Sequence, residues 1–396
     1  MDTRADFAPD VLVASAQAKE GLEDFGPHPF LEPLSVLTDD YAGAGLSDLG
    51  AHIIRGGLVH SLRMRLRAAE WRRRFPEIDD EVVEAPVVVV GMMRSGTTLV
   101  QRLLAADPGF TCAYGWEVME AAPKLDSLGY LEAGAEPDPR IATALTRQEQ
   151  TQQFMPELFA IHPTYVMEAE EEIVFLDQAF LSHVPEAGAH LPAYRRWIDG
   201  ADFTPAYDHL HAMLQLLQWQ KRRRGEPIGR WVLKTPAHLG YLDALRSRFP
   251  GLHVVHLHRD PVASIGSGAS LNATLHGMHS DDVDLHRLGA EWIERMGWTS
   301  DRALATRAAW DTSDPGLVTD LSFEDVVADP IGQIAAVYAA LGTSLSTEAE
   351  ASMRDWLERR PREQGRPDYR PETYGLSEGQ IKERFAAYEA RFRPVR

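Results

Sequence analysis

Four short runs of β-branched and apolar residues punctuate this chain: VVVV after Pro86, RWVLK at 230–234, LHVVHLH at 252–258 and LVTDLSF at 317–323. Each is too short for a helix, and each gives way within a few residues to apolar positions spaced three and four apart. The helical stretches are LVQRLLAAD, LGYLDALRSRF from Leu239, PVASIGSGAS from Pro261 and PIGQIAAVYAALG from Pro330. Strands alternating with helices at this spacing predict right-handed βαβ units around a parallel sheet, hence an α/β fold. Elsewhere the period is helical. Residues 46–75 place Leu58, Leu62, Met64, Leu66 and Trp71 among arginines, with Pro76 as the stop and Gly56-Gly57 as a candidate break. Residues 114–229 read as a mostly helical insertion whose longest apolar face carries Leu210, Met213, Leu214, Leu217 and Trp219. It is expected over the carboxyl edge of the sheet, where open α/β sheets bind ligands. Beyond Ser346 two more helical stretches, TEAEASMRDWLERR and SEGQIKERFAAYEARF, are joined by PREQGRPDYRPETYG, an Arg- and Tyr-rich loop suited to closing over a ligand.

The first strand runs into the turn GMMRSGTT, and a strand that stops at Gly91 and restarts as a helix after Gly96 aims several backbone N–H groups at one spot. Such a spot binds an anion. The spacing of the two glycines is that of a nucleotide-hydrolysing P-loop, but Thr97 stands where that motif has its lysine. The turn can hold a phosphate without the charge that supports γ-phosphate chemistry; Arg94 is its basic residue, and the hydroxyls of Thr97 and Thr98 follow. A second anion signal is His258-Arg259-Asp260-Pro261 at the end of the third apolar run. Asp260 suits a helix N-cap and Pro261 the first helical position, so Arg259 is expected beside a helix N-terminus, with Ser264 and Ser267 on one face. The run Glu168-Ala169-Glu170-Glu171-Glu172 reads as a helical segment whose carboxylates are mostly solvated, with one of them available to a cationic group.

Composition narrows the possible ligands. With 59 acidic against 40 basic residues the formal charge is −19, which opposes nucleic acid and anionic membranes and confines any cationic site to a local patch. A single cysteine, Cys112, forms no intramolecular disulfide and no multi-cysteine metal site. The first residues show no signal-peptide pattern and no apolar run is long enough to span a bilayer, so a cytoplasmic chain without integral membrane association is expected.

The turn GMMRSGTT, the segment WVLKTPAHL and the pairing of Arg259 with Ser267 resemble the sulfotransferases that use 3′-phosphoadenosine 5′-phosphosulfate. The similarity is to the bacterial branch sharing its R-S-G-T-T loop with tyrosylprotein sulfotransferases, and it runs from about Pro86 to Arg396. It implies a P-loop-NTPase-like three-layer α/β fold with a central parallel sheet. A helical extension (1–84), a core with its insertion over the active site (85–345) and C-terminal helices with a closing loop (346–396) would form one structural domain. It assigns Arg94, Ser95, Gly96, Thr97 and Thr98 to the donor's 5′ end and Arg259 and Ser267 to its 3′-phosphate, with Arg366 and Tyr369 in a loop over that phosphate. Lys234, one of only five lysines, matches the lysine that contacts the sulfuryl or bridging oxygen. Glu117 matches the glutamate that deprotonates the acceptor, with His238 as the rival base. The implied reaction is in-line sulfuryl transfer to a hydroxyl or amine, with adenosine 3′,5′-bisphosphate as product and no metal required. The aromatic and aliphatic insertion points to a small or apolar acceptor. A P-loop kinase or hydrolase, and a nucleotide-binding protein that has lost turnover, are the competing readings.

Overall fold

In the computed structural model, which describes residues 7–360 and 369–393, all five strands run parallel in the order β2-β3-β1-β4-β5. The strands are β1 (Val87–Gly91), β2 (Phe110–Thr111), β3 (Arg230–Lys234), β4 (His253–His258) and β5 (Val318–Ser322). Because side chains alternate across a strand, Val87 and Val89 of β1 join the apolar layer formed with Val100, Leu104, Ile334 and Met353. Val88 and Val90 face the other layer, with Leu62, Leu217 and Leu233. Both faces of the sheet are thus covered by helices, which gives three layers and explains why β1 is an unbroken valine run.

The second layer is one continuous cluster from Phe7 to Tyr388, so the N-terminal helices, the insertion and the C-terminal helices share a core with the sheet. The helix Asp48–Arg74 is uninterrupted. A Cβ on Gly56 or Gly57 would meet nothing within 4 Å, so the pair lies on the outer face and the buried Leu58, Leu62 and Leu66 carry the helix through. Ser47 caps its start by accepting the Gly50 N–H at 3.0 Å. The insertion contains seven α-helices and one 3-10 helix among the described residues, the longest Thr204–Arg223. In the tail, Thr347–Arg359 is one helix, whereas the last apolar stretch divides at Phe385 into Glu378–Arg384 and Ala386–Phe392.

That last helix is tied to the sheet. Tyr388 pairs through its hydroxyl with His258 Nδ1 at 3.0 Å, and Phe392 stacks on the His258 ring with centroids 4.3 Å apart. His256, His258 and Asp320 lie close enough together to share a cation, but Arg307 already donates to both Asp320 oxygens at 2.8 Å and to His256 Nδ1 at 3.0 Å. Among the described residues no helix is long and apolar enough to cross a membrane.

Candidate active site

The carboxyl ends of β1, β3 and β4, where the strand order changes direction, bring Gly91, Lys234 and His258 to one edge of the sheet. The turn after β1 can only be built on its two glycines. A Cβ at Gly91 would sit 2.5 Å from Ser95 Oγ and 2.7 Å from the Leu257 carbonyl, and Gly96 has φ +91° with its Cβ position 2.8 Å from the Phe323 ring. Arg94 is also left-handed, at φ +70°, a strain of about 1–3 kcal/mol of the kind retained at ligand-binding turns. Arg94 Nε donates to Ser267 Oγ at 3.1 Å, and Arg259 Nη1 donates to the Arg94 carbonyl at 2.6 Å. The Arg259 guanidinium lies 4.2 Å from the Phe323 ring centroid. Asp260 caps helix Pro261–His279 as expected, accepting the Val262 N–H at 2.9 Å.

The groups expected at the two ends of the donor therefore meet directly in this structure. Tyr369 joins them: its carbonyl lies 3.2 Å from the Cβ position of Gly266, next to Ser267. Arg366 lies outside the described residues. The buried hydroxyls of Ser95, Ser264 and Tyr369 have no hydrogen-bond partner. Buried polar atoms are rarely left unsatisfied, and unused hydroxyls beside guanidinium groups and two helix N-termini fit an anion carrying more than one phosphate.

Lys234 ends β3 with its side chain 1% exposed. Its ammonium donates to Thr98 Oγ1 at 3.0 Å and forms a short ion pair with Glu171. Its backbone N–H donates to Glu172 Oε2 at 2.9 Å. The acidic run is thus part of the site, which corrects the expectation of solvated carboxylates. Residues 168–172 are not helical; Ala169 bridges Tyr114 antiparallel, and the first helix of this stretch starts at Ile173. Non-helical backbone lets the three neighbouring glutamates diverge. Helix Thr97–Ala105 fixes the segment, Gln101 donating to the Glu170 carbonyl at 2.9 Å. Burial favours the neutral acid at Glu171, but the Lys234 ammonium outweighs it and holds that carboxyl below its ordinary range. Glu170 accepts the Glu171 N–H at 2.9 Å through Oε1, and its Oε2 has no hydrogen-bond partner. A charge run that contains the buried Ala169 and is flanked by Val166, Phe175 and Leu176 was the available sequence signal, since a solvated run seldom sits among core residues.

Both acceptor-base candidates read from the sequence are otherwise engaged. Glu117 is fully buried; it accepts from Lys221 Nζ at 2.7 and 2.8 Å, from Arg224 at 2.8 Å and from the Tyr114 N–H at 3.0 Å. Burial pushes its carboxyl up, but the two cations prevail and hold it down. His238 is likewise enclosed, paired with Glu172 at 2.7 Å and the Tyr207 hydroxyl at 2.9 Å. Neither lines the cavity of about 440 Å³ that borders the lysine site. Its walls near Lys234 are Met93, Glu170, Glu171 and Thr235; most of the remainder is apolar, including Val118, Leu158, Leu275 and Trp292.

Comparison with known proteins converges on one chemistry. The menaquinone-directed enzymes named omega-hydroxy-beta-dihydromenaquinone-9 sulfotransferase Stf3, from Mycobacterium bovis and Mycobacterium tuberculosis, are 25% identical over 280 residues. That match covers 66% of this chain and 63% of theirs, so the chain aligns with somewhat less than two thirds of their length. The crystal structure of sulfotransferase STF1 from Mycobacterium tuberculosis H37Rv superposes with a TM-score of 0.80 at 31% identity, covering 96% of this chain and 98% of that one. Sulfotransferase STF9 from Mycobacterium avium superposes with a TM-score of 0.85 at 25% identity, covering 97% of this chain and 96% of that one. Residues 86–347 match the sulfotransferase family, and with the turn, the lysine and the cavity in place, this chain belongs to it.

Proposed function

We propose that this protein is a cytoplasmic, metal-independent sulfotransferase that moves the sulfuryl group of 3′-phosphoadenosine 5′-phosphosulfate onto the hydroxyl of an apolar small molecule. The observation that carries this reading is the position of Lys234, between the turn with its unused hydroxyls and an apolar cavity bordered by Glu170 and Glu171. The residues around the turn suit the donor: Arg94 to Thr98 for the 5′ end, and Arg259, Ser264, Ser267 and Tyr369 for the 3′-phosphate. The donor supplies the activated sulfuryl group.

Glu170 takes the acceptor proton on Oε2, which has no hydrogen-bond partner and only a 4.0 Å ion pair with Arg102, as the acceptor oxygen bonds to sulfur. Lys234 transfers its attention from Glu171 to the opposite side, neutralising the phosphate oxygen released when the other S–O bond breaks. Glu171 holds the ammonium in place until then, and Glu172, fixed by His238 and Tyr207, holds the lysine backbone. The cavity volume is that of a drug-sized ligand site. An apolar acceptor is also in keeping with the lipophilic substrate named for the mycobacterial relatives.

Calorimetry tests the reading. Adenosine 3′,5′-bisphosphate is expected to bind in the micromolar range without magnesium and ATP far more weakly. Lys234→Ala should keep the bisphosphate affinity while losing sulfate transfer from labelled donor. Magnesium-dependent ATP binding with no response to the bisphosphate would overturn it.

A further inference from the structure

Among the described residues, two side chains that line the cavity carry a buried polar atom with no hydrogen-bond partner: Glu170 at Oε2 and Asn272 at Oδ1. The first has a role in the proposed reaction. The second is unexplained by it. Asn272 is only 4% exposed and sits among Leu271, Leu275 and Trp292 on the cavity wall. An amide buried there without a partner costs about 1–3 kcal/mol relative to a satisfied one, and a leucine would fill the position without that cost.

The other polar groups nearby are committed. His276 Nε2 pairs with the Glu186 carbonyl at 3.3 Å, Trp292 Nε1 donates to the Ile265 carbonyl at 3.1 Å, and Thr299 Oγ1 donates to the Arg295 carbonyl at 2.9 Å. Arg295 is held by Glu186, donating to its two oxygens at 2.8 and 3.1 Å, and by Asp199. Asn272 thus stands as an isolated acceptor among apolar or self-satisfied neighbours on this side of the cavity. It comes from a different element than Glu170. Glu170 lies on the extended segment before Ile173, whereas Asn272 lies on helix Pro261–His279, five residues beyond Ser267 and about 7.5 Å further along the axis at 1.5 Å per residue.

We propose that Asn272 is a second polar anchor of the acceptor site, so that the preferred acceptor is an apolar molecule bearing two hydroxyl groups. One hydroxyl is sulfated beside Glu170 and Lys234; the other donates a hydrogen bond to Asn272 Oδ1. The inference rests on the sulfotransfer reading only for which hydroxyl reacts, since the anchor itself is a binding contact.

The test measures binding first. Alkanediols with hydroxyls at both chain ends, from octanediol to tetradecanediol, are titrated calorimetrically into the protein saturated with adenosine 3′,5′-bisphosphate, beside the alkanols of the same lengths. At the chain length that reaches both groups the diol is expected to bind about tenfold tighter, the effect of one buried hydrogen bond. Asn272→Leu should erase that preference and improve alkanol binding, with bisphosphate affinity reporting that the fold is intact. Equal binding of diols and alkanols at every length, binding of neither, or a preference that survives Asn272→Leu would each overturn the proposal. Diol preference without transfer of labelled sulfate would instead refute the catalytic reading and leave the anchor standing.

Discussion

Three glutamates, Glu117, Glu170 and Glu171, differ less in burial than in what already occupies their oxygens. Glu117 is saturated by Lys221, Arg224 and a backbone N–H, so replacing it strands two buried cations, a loss of about 3–5 kcal/mol for a broken buried pair. Glu117→Gln is therefore expected to lower the melting temperature by several degrees while the folded enzyme keeps kcat within a few-fold and an unchanged pH profile. Glu170→Gln should do the reverse, leaving melting and bisphosphate affinity unmoved while kcat falls by about 10²–10⁴ for a lost general base. Thermal unfolding and steady-state kinetics on the pair decide it; a larger kcat loss in Glu117→Gln would restore that residue as the base. The grouping of the turn after β1 with Lys234, Arg259 and Ser267 was legible because each lies at or just beyond a strand end beside a local helix signal. The sequence did not show that Glu117 is already held, because Lys221, which pairs with it, arrives 104 residues later. No local pattern announces such a partner.

At the scale of elements, the strands were legible to within a residue or so, since a buried strand in a parallel sheet is a continuous apolar run. β2 was not, because two residues carry no period. The helices after the strands were found but less well bounded, the stretch from Leu239 starting inside the 3-10 turn Pro236–Tyr241 and helix Pro261–His279 running nine residues past Ser270. The segment before Ile173 was read as helix because its pairing with 113–115 is tertiary. Helix crossings were equally hidden. Gly289 shows this: a Cβ there would lie 2.1 Å from the Tyr374 carbonyl, a backbone atom that cannot rotate away. Gly289→Ala is expected to push segment Pro371–Tyr374 off helix Leu285–Ser313, costing about 1–3 kcal/mol for overpacking. Because Tyr369 leads into that segment, bisphosphate affinity should fall at least several-fold by calorimetry. Gly56→Ala, where a Cβ meets open space, is the control and should stabilise its helix by up to about 1 kcal/mol. Unchanged affinity in Gly289→Ala would show that the tail does not shape the donor site.

For the whole molecule, pH acts through buried acids of opposite sign. Burial raises the Asp177 carboxyl to about 7, and a hydrogen bond with Ser182 offsets this only in part. The folded state then holds this proton more tightly than the unfolded chain, so stability falls as pH rises from about 4 through about 7. Asp177→Asn should accordingly gain about 4 kcal/mol at pH 8 and almost nothing at pH 4. Denaturant unfolding at the two pH values checks this, and an equal change at both would remove Asp177 from the account. Glu186, held down to about 2 against the effect of burial by His183 and the arginines around it, works the other way, losing its contribution as pH drops through the ordinary carboxylate range. One further consequence concerns helix Pro261–His279, a single rigid rod bearing Ser267 near its start and Asn272 further along. A bisubstrate inhibitor joining a bisphosphorylated nucleoside to an apolar alcohol would find both half-sites at a fixed separation. A short stiff linker would then convert two modest affinities into one large one through effective concentration, whereas a long flexible linker would forfeit much of that gain.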